Sequence, residues 1–338
     1  MKDSGILLRL VHESMLKLNL DVMTIYQKCG VTTAHVSDTK SRFKHKVTDV
    51  FWNVVEEVSQ DKNIGLRVAE HLPLFRGQVL EYLFLSSHTF GDGLNRALNY
   101  QRLLTDISSA YLEINGKDAA LILDTKVGDK LNHQFVECIS VGIIRFFQSV
   151  TDDHFKVIKM EFMFDEPEDI SEYQRIYQCD LAFSQPQNAI HFSADVLDYQ
   201  SIHAEPELLK LHEQVAEQHV ARLEQEDMVL EVRRIIGELL DSQDVSLELV
   251  AQKLNMTPRH LRSMLNLANT NFNQILADYR SLLAKRLLVR TNEAIDEIVY
   301  LTGFSEPSTF YRAFKRWTGV TPVEYRKAKK GSRETEIV

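Results

Sequence analysis

The sequence predicts two domains of different class. The first is an α+β domain in which helices flank a small, mostly antiparallel sheet. The second is an all-α C-terminal domain with two helix-turn-helix units. Three observations predict this. Hydrophobic spacing is helical in the first hundred residues, strand-like in segments between Tyr111 and Phe192, and helical again from Glu205 onward. Within 228–330, two helices open on capping residues just after short turns. Charge divides at the same place: residues 228–330 hold 16 Lys and Arg against 11 Asp and Glu, whereas residues 1–227 hold 22 against 35. The expected division is 1–204 for the first domain, 205–227 for a charged linker helix, 228–330 for the basic domain and 331–338 for a flexible tail.

In chain order, Ile6, Leu7, Leu10, Val11 and Met15 predict a first helix, with a shorter one ending near Gly30. Val31 to Lys46 is polar and mixed, and reads as loop. Helices follow over Val47–Val58 and Asp61–Leu72. Phe90-Gly91-Asp92-Gly93 reads as a loop and Leu94–Leu104 as a helix. Asn115-Gly116 between Tyr111–Ile114 and Ala119–Thr125 is a strong hairpin signal. Phe135–Val150 is a long apolar helix. Val157–Phe164 alternates, which predicts a strand with Ile158, Met160, Phe162 and Phe164 on one face. A helix over Ile170–Tyr177 and short strands over Leu181–Phe183 and Ala189–Phe192 complete the domain. The charged helix from Glu205 serves as linker, dimer surface or both.

In the basic domain, Val229, Val232, Ile235, Ile236 and Leu239 form the apolar stripe of a first helix. Ser246 caps a second, Leu254-Asn255-Met256 makes a turn, and Thr257 caps a third with Pro258 at its first position. This is one helix-turn-helix unit, 246–267. Its groove-facing residues are Arg259, Arg262 and Ser263, with His260 nearer the backbone. The other reading of Arg259 and Arg262 is solvated helix charge. A connecting helix, Phe272–Val289, has Ile275, Leu276, Tyr279, Leu282, Leu283 and Leu287 as its core stripe.

The second unit, 294–317, centres on GFSEPSTFYRAFKRWTGVTPVEYR, residues 303–326. Gly303 supplies the positive φ that ends a helix, Ser305 offers an N-cap, and Pro307 sits in the first turn. Phe310, Phe314 and Trp317 recur at i, i+4 and i+7, one buried stripe. The other face carries Ser308, Thr309, Tyr311, Arg312, Lys315 and Arg316. Hydroxyls and a guanidinium near the helix start suit base edges, and the cations near its end suit phosphates of double-stranded DNA. A surface helix with a basic face is the plainer alternative, made less apt by the capped helix-glycine-helix frame.

The segment resembles the signature region of AraC/XylS-type transcription regulators. The matching residues are Ile295, Ile298, Gly303, Phe304, Ser308, Phe310, Arg312, Phe314, Lys315, Gly319, Pro322, Tyr325 and Arg326. Three positions depart. Val299 stands where the family usually has alanine, Ser263 where it has arginine, and Asn269 or Asn271 where it has glycine. The acidic half resembles the N-terminal effector domain of the subgroup labelled arabinose-binding type, through Asp61–Arg67, Leu85–Leu104, Phe183 and Ile190-His191-Phe192. The resemblance implies a cytoplasmic bacterial regulator, nucleoid-associated when bound to promoter DNA. It implies a homodimer that binds a small-molecule effector, recruits RNA polymerase and mostly activates. It does not identify arabinose as ligand.

Composition adds exclusions. A length of 338 residues suits two or three domains, and the net charge of −9 hides the basic C-terminal portion. Arg9, His12 and Glu13 interrupt the N-terminal apolar stretch, which argues against a signal peptide. Cys29, Cys138 and Cys179 are isolated and odd in number, so neither a disulfide framework nor a zinc site is expected. No nucleophile motif or phosphate loop is present, so no enzyme, cofactor or metal is expected. His212 and His219 share a helix face without further ligand spacing. The aromatic and Met residues Phe146, Phe147, Phe155, Met160, Phe162, Met163 and Phe164 either line an apolar pocket or make core. Arg76, Tyr82, Arg102 and Arg145 are the polar candidates for effector contact. Two rival functions stay open: a regulator without effector, whose acidic half serves dimerisation or docking, and an enzyme fused to a DNA-binding domain.

Overall fold

A computed structural model describes residues 2–32, 36, 42–75, 77–106, 108–125, 131–240 and 245–334. The chain divides into two units, 1–220 and 221–338. Unit 1 holds helices α1 (Gly5–Lys17), α2 (Val22–Cys29), α3 (His45–Ser59), α4 (Ile64–His71), α5 (Val79–Ser86), α6 (Phe90–Asn99), α7 (His133–Val150) and α8 (Ser171–Tyr177). Its strands are β1 (Lys2–Ser4), β2 (Arg42–Lys44), β3 (Ser108–Asn115), β4 (Asp118–Thr125), β5 (Val157–Glu161), β6 (Asp180–Ala182) and β7 (Asn188–Ser193). A five-stranded sheet runs β3-β4-β7-β5-β6, antiparallel except for the β5–β6 pair. The β3–β4 hairpin turns at Gly116, whose φ of 65° is the left-handed geometry such turns require. Ala119, Leu121 and Leu123 face the main core, where they meet Phe147, Phe155, Phe162 and Phe192.

Four expectations are corrected here. Val31–Lys46 is not all loop, because Arg42–Lys44 pairs antiparallel with Lys2–Ser4 in a two-stranded ribbon. Ile158 does not join Met160 and Phe162 in the core. The pairing of β5 with β7 slips between Val157 and Lys159, a bulge that turns Ile158 outward. Phe90–Gly93 is the first turn of α6, capped by the Thr89 hydroxyl, which accepts the Asp92 N–H at 3.1 Å. Its glycines are there for contact: a Cβ would lie 2.9 Å from the Leu197 carbonyl oxygen at Gly91, and 2.9 Å from the Phe84 Cα at Gly93. Leu282, expected in the core stripe of the connecting helix, is exposed, while Ser281, Ala284 and Leu288 are buried instead.

A 34-residue helix, α9 (Pro206–Leu239), begins in unit 1 and ends in unit 2. Its first part is seated in unit 1 by Leu209 and Ala216 against Leu80 and Leu83, by stacking of His212 on Tyr82, and by an Arg96–Glu213 ion pair at 2.8 Å. His212 Nδ1 also sits 3.0 Å from the Ser86 hydroxyl.

Unit 2 continues with α10 (Leu247–Lys253), α11 (Pro258–Leu267), α12 (Phe272–Arg290), α13 (Ile295–Leu301), α14 (Pro307–Thr318) and α15 (Pro322–Glu334). It contains two separate cores. Val232, Ile235, Ile236 and Leu240 pack with Val250, Ala251, Leu261, Leu265 and Ile275. Ala284 and Leu288 pack with Ile298, Val299, Phe304, Phe310, Ala313 and Phe314. Among the described residues, no helix is long and apolar enough to cross a membrane.

Candidate nucleic-acid interface and ligand cavity

The two helix-turn-helix units are built alike, with different residues at the turn. In the first, Asn255 takes φ 54° and the Met256 N–H reaches back to the Ala251 carbonyl at 2.9 Å. In the second, Gly303 takes φ 74° and the Phe304 N–H reaches the Val299 carbonyl at 3.1 Å. Both turns need a left-handed residue, and asparagine is the side chain that tolerates it best after glycine. The same exchange explains the departure after α11. Asn269 takes φ 54°, so it fills the glycine role, while Asn271 caps α12 by accepting the Gln274 N–H at 3.0 Å.

The caps of the first unit form as the sequence suggests. The Ser246 hydroxyl accepts the Leu249 N–H at 3.3 Å, and the Thr257 hydroxyl accepts the His260 N–H at 3.2 Å. In the second unit Ser305 does not cap. Glu306 holds the extended N-cap position without a side-chain bond, and Pro307 follows at the first helical position. Gly319 ends α14 at φ 81°.

On α11, Arg259, His260, Arg262 and Ser263 are all exposed; on α14, Ser308, Thr309, Arg312, Lys315 and Arg316 are exposed and Tyr311 is half-buried against Phe310. Among the described residues, none of Arg259, Arg262, Arg312, Lys315 and Arg316 is in a salt bridge. The arginines of α9 differ: Arg222 pairs with Glu226 at 3.1 Å, and Arg234 pairs with both Glu231 and Glu238. Two helices therefore present exposed cations held in no salt bridge, which is what phosphate and guanine recognition needs. Val299 is fully buried in the second core, so the methyls that alanine would lack are absorbed by packing.

A residue that periodicity did not flag joins the two cores. Arg280 on α12 donates to the Gly303 carbonyl at 2.7 Å, and its guanidinium lies 4.7 Å from the Phe304 ring centroid. Burial pushes its pKa down from the ordinary guanidinium value. Leu240 of the first core reaches the same turn: a Cβ at Gly303 would fall 2.5 Å from Leu240 Cδ2 and 3.2 Å from an Arg280 nitrogen. Gly303→Ala is therefore expected to destabilise unit 2 by about 2 kcal/mol, the usual cost of a left-handed L-residue with a clash added. Urea unfolding followed at Trp317 checks it; an unchanged midpoint would remove the turn's steric role.

Unit 1 holds a cavity of ≈ 240 Å³ between α1, α3, α5, α6, α7 and the β3–β4 hairpin, lined by residues such as Leu8, Trp52, Phe84, Leu98, Ile139 and Phe146. Of the aromatic and Met residues flagged above, only Phe146 and Phe147 line it. Phe155, Met160 and Phe162 are packed core.

Three of the polar candidates for effector contact lie elsewhere. Arg76 falls outside the described residues. Tyr82 stacks on His212. Arg102 lies 3.5 Å from Asp106. Arg145 gives its guanidinium to the carbonyls of Ala69, Glu70 and Leu72 at 2.9–3.1 Å, closing the end of α4. Among the described residues, Tyr82, Arg102 and Arg145 do not line the cavity.

Comparison with known proteins agrees with this arrangement. Residues 20–201 match the arabinose-binding domain of AraC transcription regulator, N-terminal, and residues 250–328 match a helix-turn-helix domain. The ornithine utilization regulator of Pseudomonas aeruginosa is 28% identical over 283 residues, 78% of each chain. The HTH-type transcriptional activator CfaD of Escherichia coli is 36% identical over 94 residues, covering 28% of this chain and 35% of its own. The crystal structure of transcriptional regulator CdpR from Pseudomonas aeruginosa aligns with 90% of this chain and 96% of its own, at 18% identity and a TM-score of 0.45. With one domain matched over residues 20–201 and the other over the paired helix-turn-helix units, the chain belongs to the AraC family of DNA-binding transcription regulators.

Proposed function

We propose that the chain is a one-component regulator, most simply an activator, in which a small effector bound in unit 1 sets the fraction of protein competent for promoter DNA. The single observation that carries this is the pair of exposed helices, α11 and α14, whose cations form no salt bridge among the described residues. Arg259 and Arg262 read one half-site together with Ser263, while His260 sits nearer the backbone. Ser308, Thr309, Tyr311 and Arg312 read the other, and Lys315 and Arg316 hold phosphates. Entering successive major grooves on one DNA face requires about 34 Å between reading helices, or bent DNA. Residues 1–204 then serve sensing and dimerisation, 205–227 the linker and 228–330 DNA binding, in the cytoplasm and in contact with RNA polymerase.

The test is operator binding by the full-length protein, with the operator selected from random DNA, in the presence and absence of a metabolite library. An effector must favour the DNA-competent state by differential affinity, or it shifts nothing. A compound that changes operator affinity establishes the sensor. If no compound does, the acidic half is a dimerisation or docking domain. Lys315→Ala is expected to weaken binding to all sequences alike and to lower the salt slope of log K by about 1. Altered sequence preference at an unchanged slope would show that Lys315 reads bases instead.

A further inference from the structure

The effector reading leaves the ligand's chemistry open, and the cavity of unit 1 narrows it. We infer that this cavity takes a neutral, hydrocarbon-rich molecule of on the order of ten carbon atoms rather than a sugar or an amino acid. The inference rests on the effector reading only for its consequence at DNA.

Among the described residues, no charged side chain lines the space, and only Ser4 and Gln101 of its lining side chains carry an oxygen. Both are committed. The Ser4 hydroxyl accepts the Ile6 N–H at 3.3 Å. The Gln101 amide accepts from the Ala110 N–H at 2.6 Å and donates to the Ala110 carbonyl at 3.0 Å. A hydroxyl-rich or zwitterionic guest would surrender its water and find no fixed partners. A carboxylate would meet no counter-charge among the described lining residues. An alkyl chain or alkylated ring gives up no hydrogen bonds on entry and gains contacts with the apolar walls.

Size agrees. An apolar cavity of about 150 Å³ takes up benzene. A space of ≈ 240 Å³ is larger by more than half. Filled to the roughly 0.75 density of a protein interior, it accommodates a medium-length chain.

Position gives occupancy a consequence. Phe75, Leu80 and Leu104 line the cavity, and the same three side chains belong to the cluster that seats Leu209 and Ala216 of α9. The wall that touches the guest is therefore also the bed of the helix that runs on toward the DNA-binding half. A guest that props Leu80 and Leu104 in place fixes that bed, and an empty cavity lets it relax.

The test uses the full-length protein with 1-decanol, decanoate, L-arabinose and L-ornithine as probes. Thermal unfolding, Trp52 emission and operator affinity are measured for each. 1-Decanol is expected to raise Tm saturably, by roughly 5 °C at a hundred times its Kd, and to change the emission of Trp52, which lines the cavity. Gly142→Leu and Ala97→Leu place side chains into the space from α7 and α6. Each should unfold cooperatively without ligand and lose the 1-decanol response. Using two sites keeps the test decisive if one variant misfolds.

The inference is overturned if 1-decanol gives no saturable response, or an equal response in both filled variants. It is equally overturned if arabinose, ornithine or decanoate alone responds. If 1-decanol binds but leaves operator affinity unchanged, the cavity assignment stands and the effector reading fails. If a polar compound changes operator affinity while 1-decanol is silent, the effector reading stands and this inference fails.

Discussion

Arg312→Ala should lower specific operator affinity about 10- to 100-fold, while Arg222→Ala should leave it nearly unchanged. Arg312 is exposed one turn into α14, behind Pro307 and Ser308, where a groove-inserted helix directs side chains at base edges. A bidentate arginine–guanine contact is worth about 1–3 kcal/mol of discrimination, which sets the size of the loss. In the free protein its guanidinium makes only a long 3.4 Å contact to the Ser308 carbonyl, so it enters the groove with no ion pair to break. Arg222 already holds Glu226 on α9, and removing that exposed pair changes little. Fluorescence anisotropy with the selected operator and a scrambled duplex separates the two. Equal losses for both variants, or equal loss on both duplexes for Arg312→Ala, would remove Arg312 from base reading.

The second large effect is on stability. Glu137 on α7 is fully buried, and its side-chain environment is polar but incomplete. The Tyr173 hydroxyl donates to Glu137 Oε1, while Oε2 has no hydrogen-bond partner. Burial pushes its pKa up to about 8, and the carboxylates of Glu56 and Asp61 push the same way, against the Tyr173 hydrogen bond. The unfolded chain releases this proton near the ordinary glutamate value of about 4.3. Between there and about 8 the native state binds more protons than the unfolded state. Stability contributed by this group is thus complete in acid and falls as pH rises through that window. Glu137→Gln copies the protonated form and removes the dependence. Its advantage over the parent should be near zero at pH 4 and reach on the order of 5 kcal/mol by pH 8. In Tm this is a gain that grows with pH. A difference that stays flat across the window, or a Gln variant less stable at pH 8, would contradict the buried-acid assignment.

What could be read in the sequence was local. The caps at Ser246 and Thr257, Pro307, the left-handed Gly303 and Gly319, and the hairpin at Asn115-Gly116 each depend on a few neighbouring residues, and each takes the expected geometry. The exposed polar face of α14 follows from the same spacing. Non-local features were illegible. Gly91 and Gly93 look like breakers, because only the fold reveals Leu197 and Phe84 pressing on them. Ile158 looks inward, because the slip that expels it belongs to the pairing with β7. The strand Arg42–Lys44 has no periodic pattern and exists through its pairing with the N-terminus. The cavity is the sum of small gaps among elements from Ser4 to Phe147, so no segment announces it. The aromatic residues of the sheet that seemed to offer a pocket pack on one another instead.

The divided core of unit 2 has a consequence for how such a protein changes over generations. Each reading helix is backed by its own small set of apolar side chains, and the sets meet through Leu240, Arg280 and the Gly303 turn. Substitutions far apart with no shared partners act independently. A change on the exposed face of α11, such as at Ser263, leaves the packing behind α14 untouched. Target preference can drift one half at a time, each step viable, while the bridging turn remains the position least free to vary.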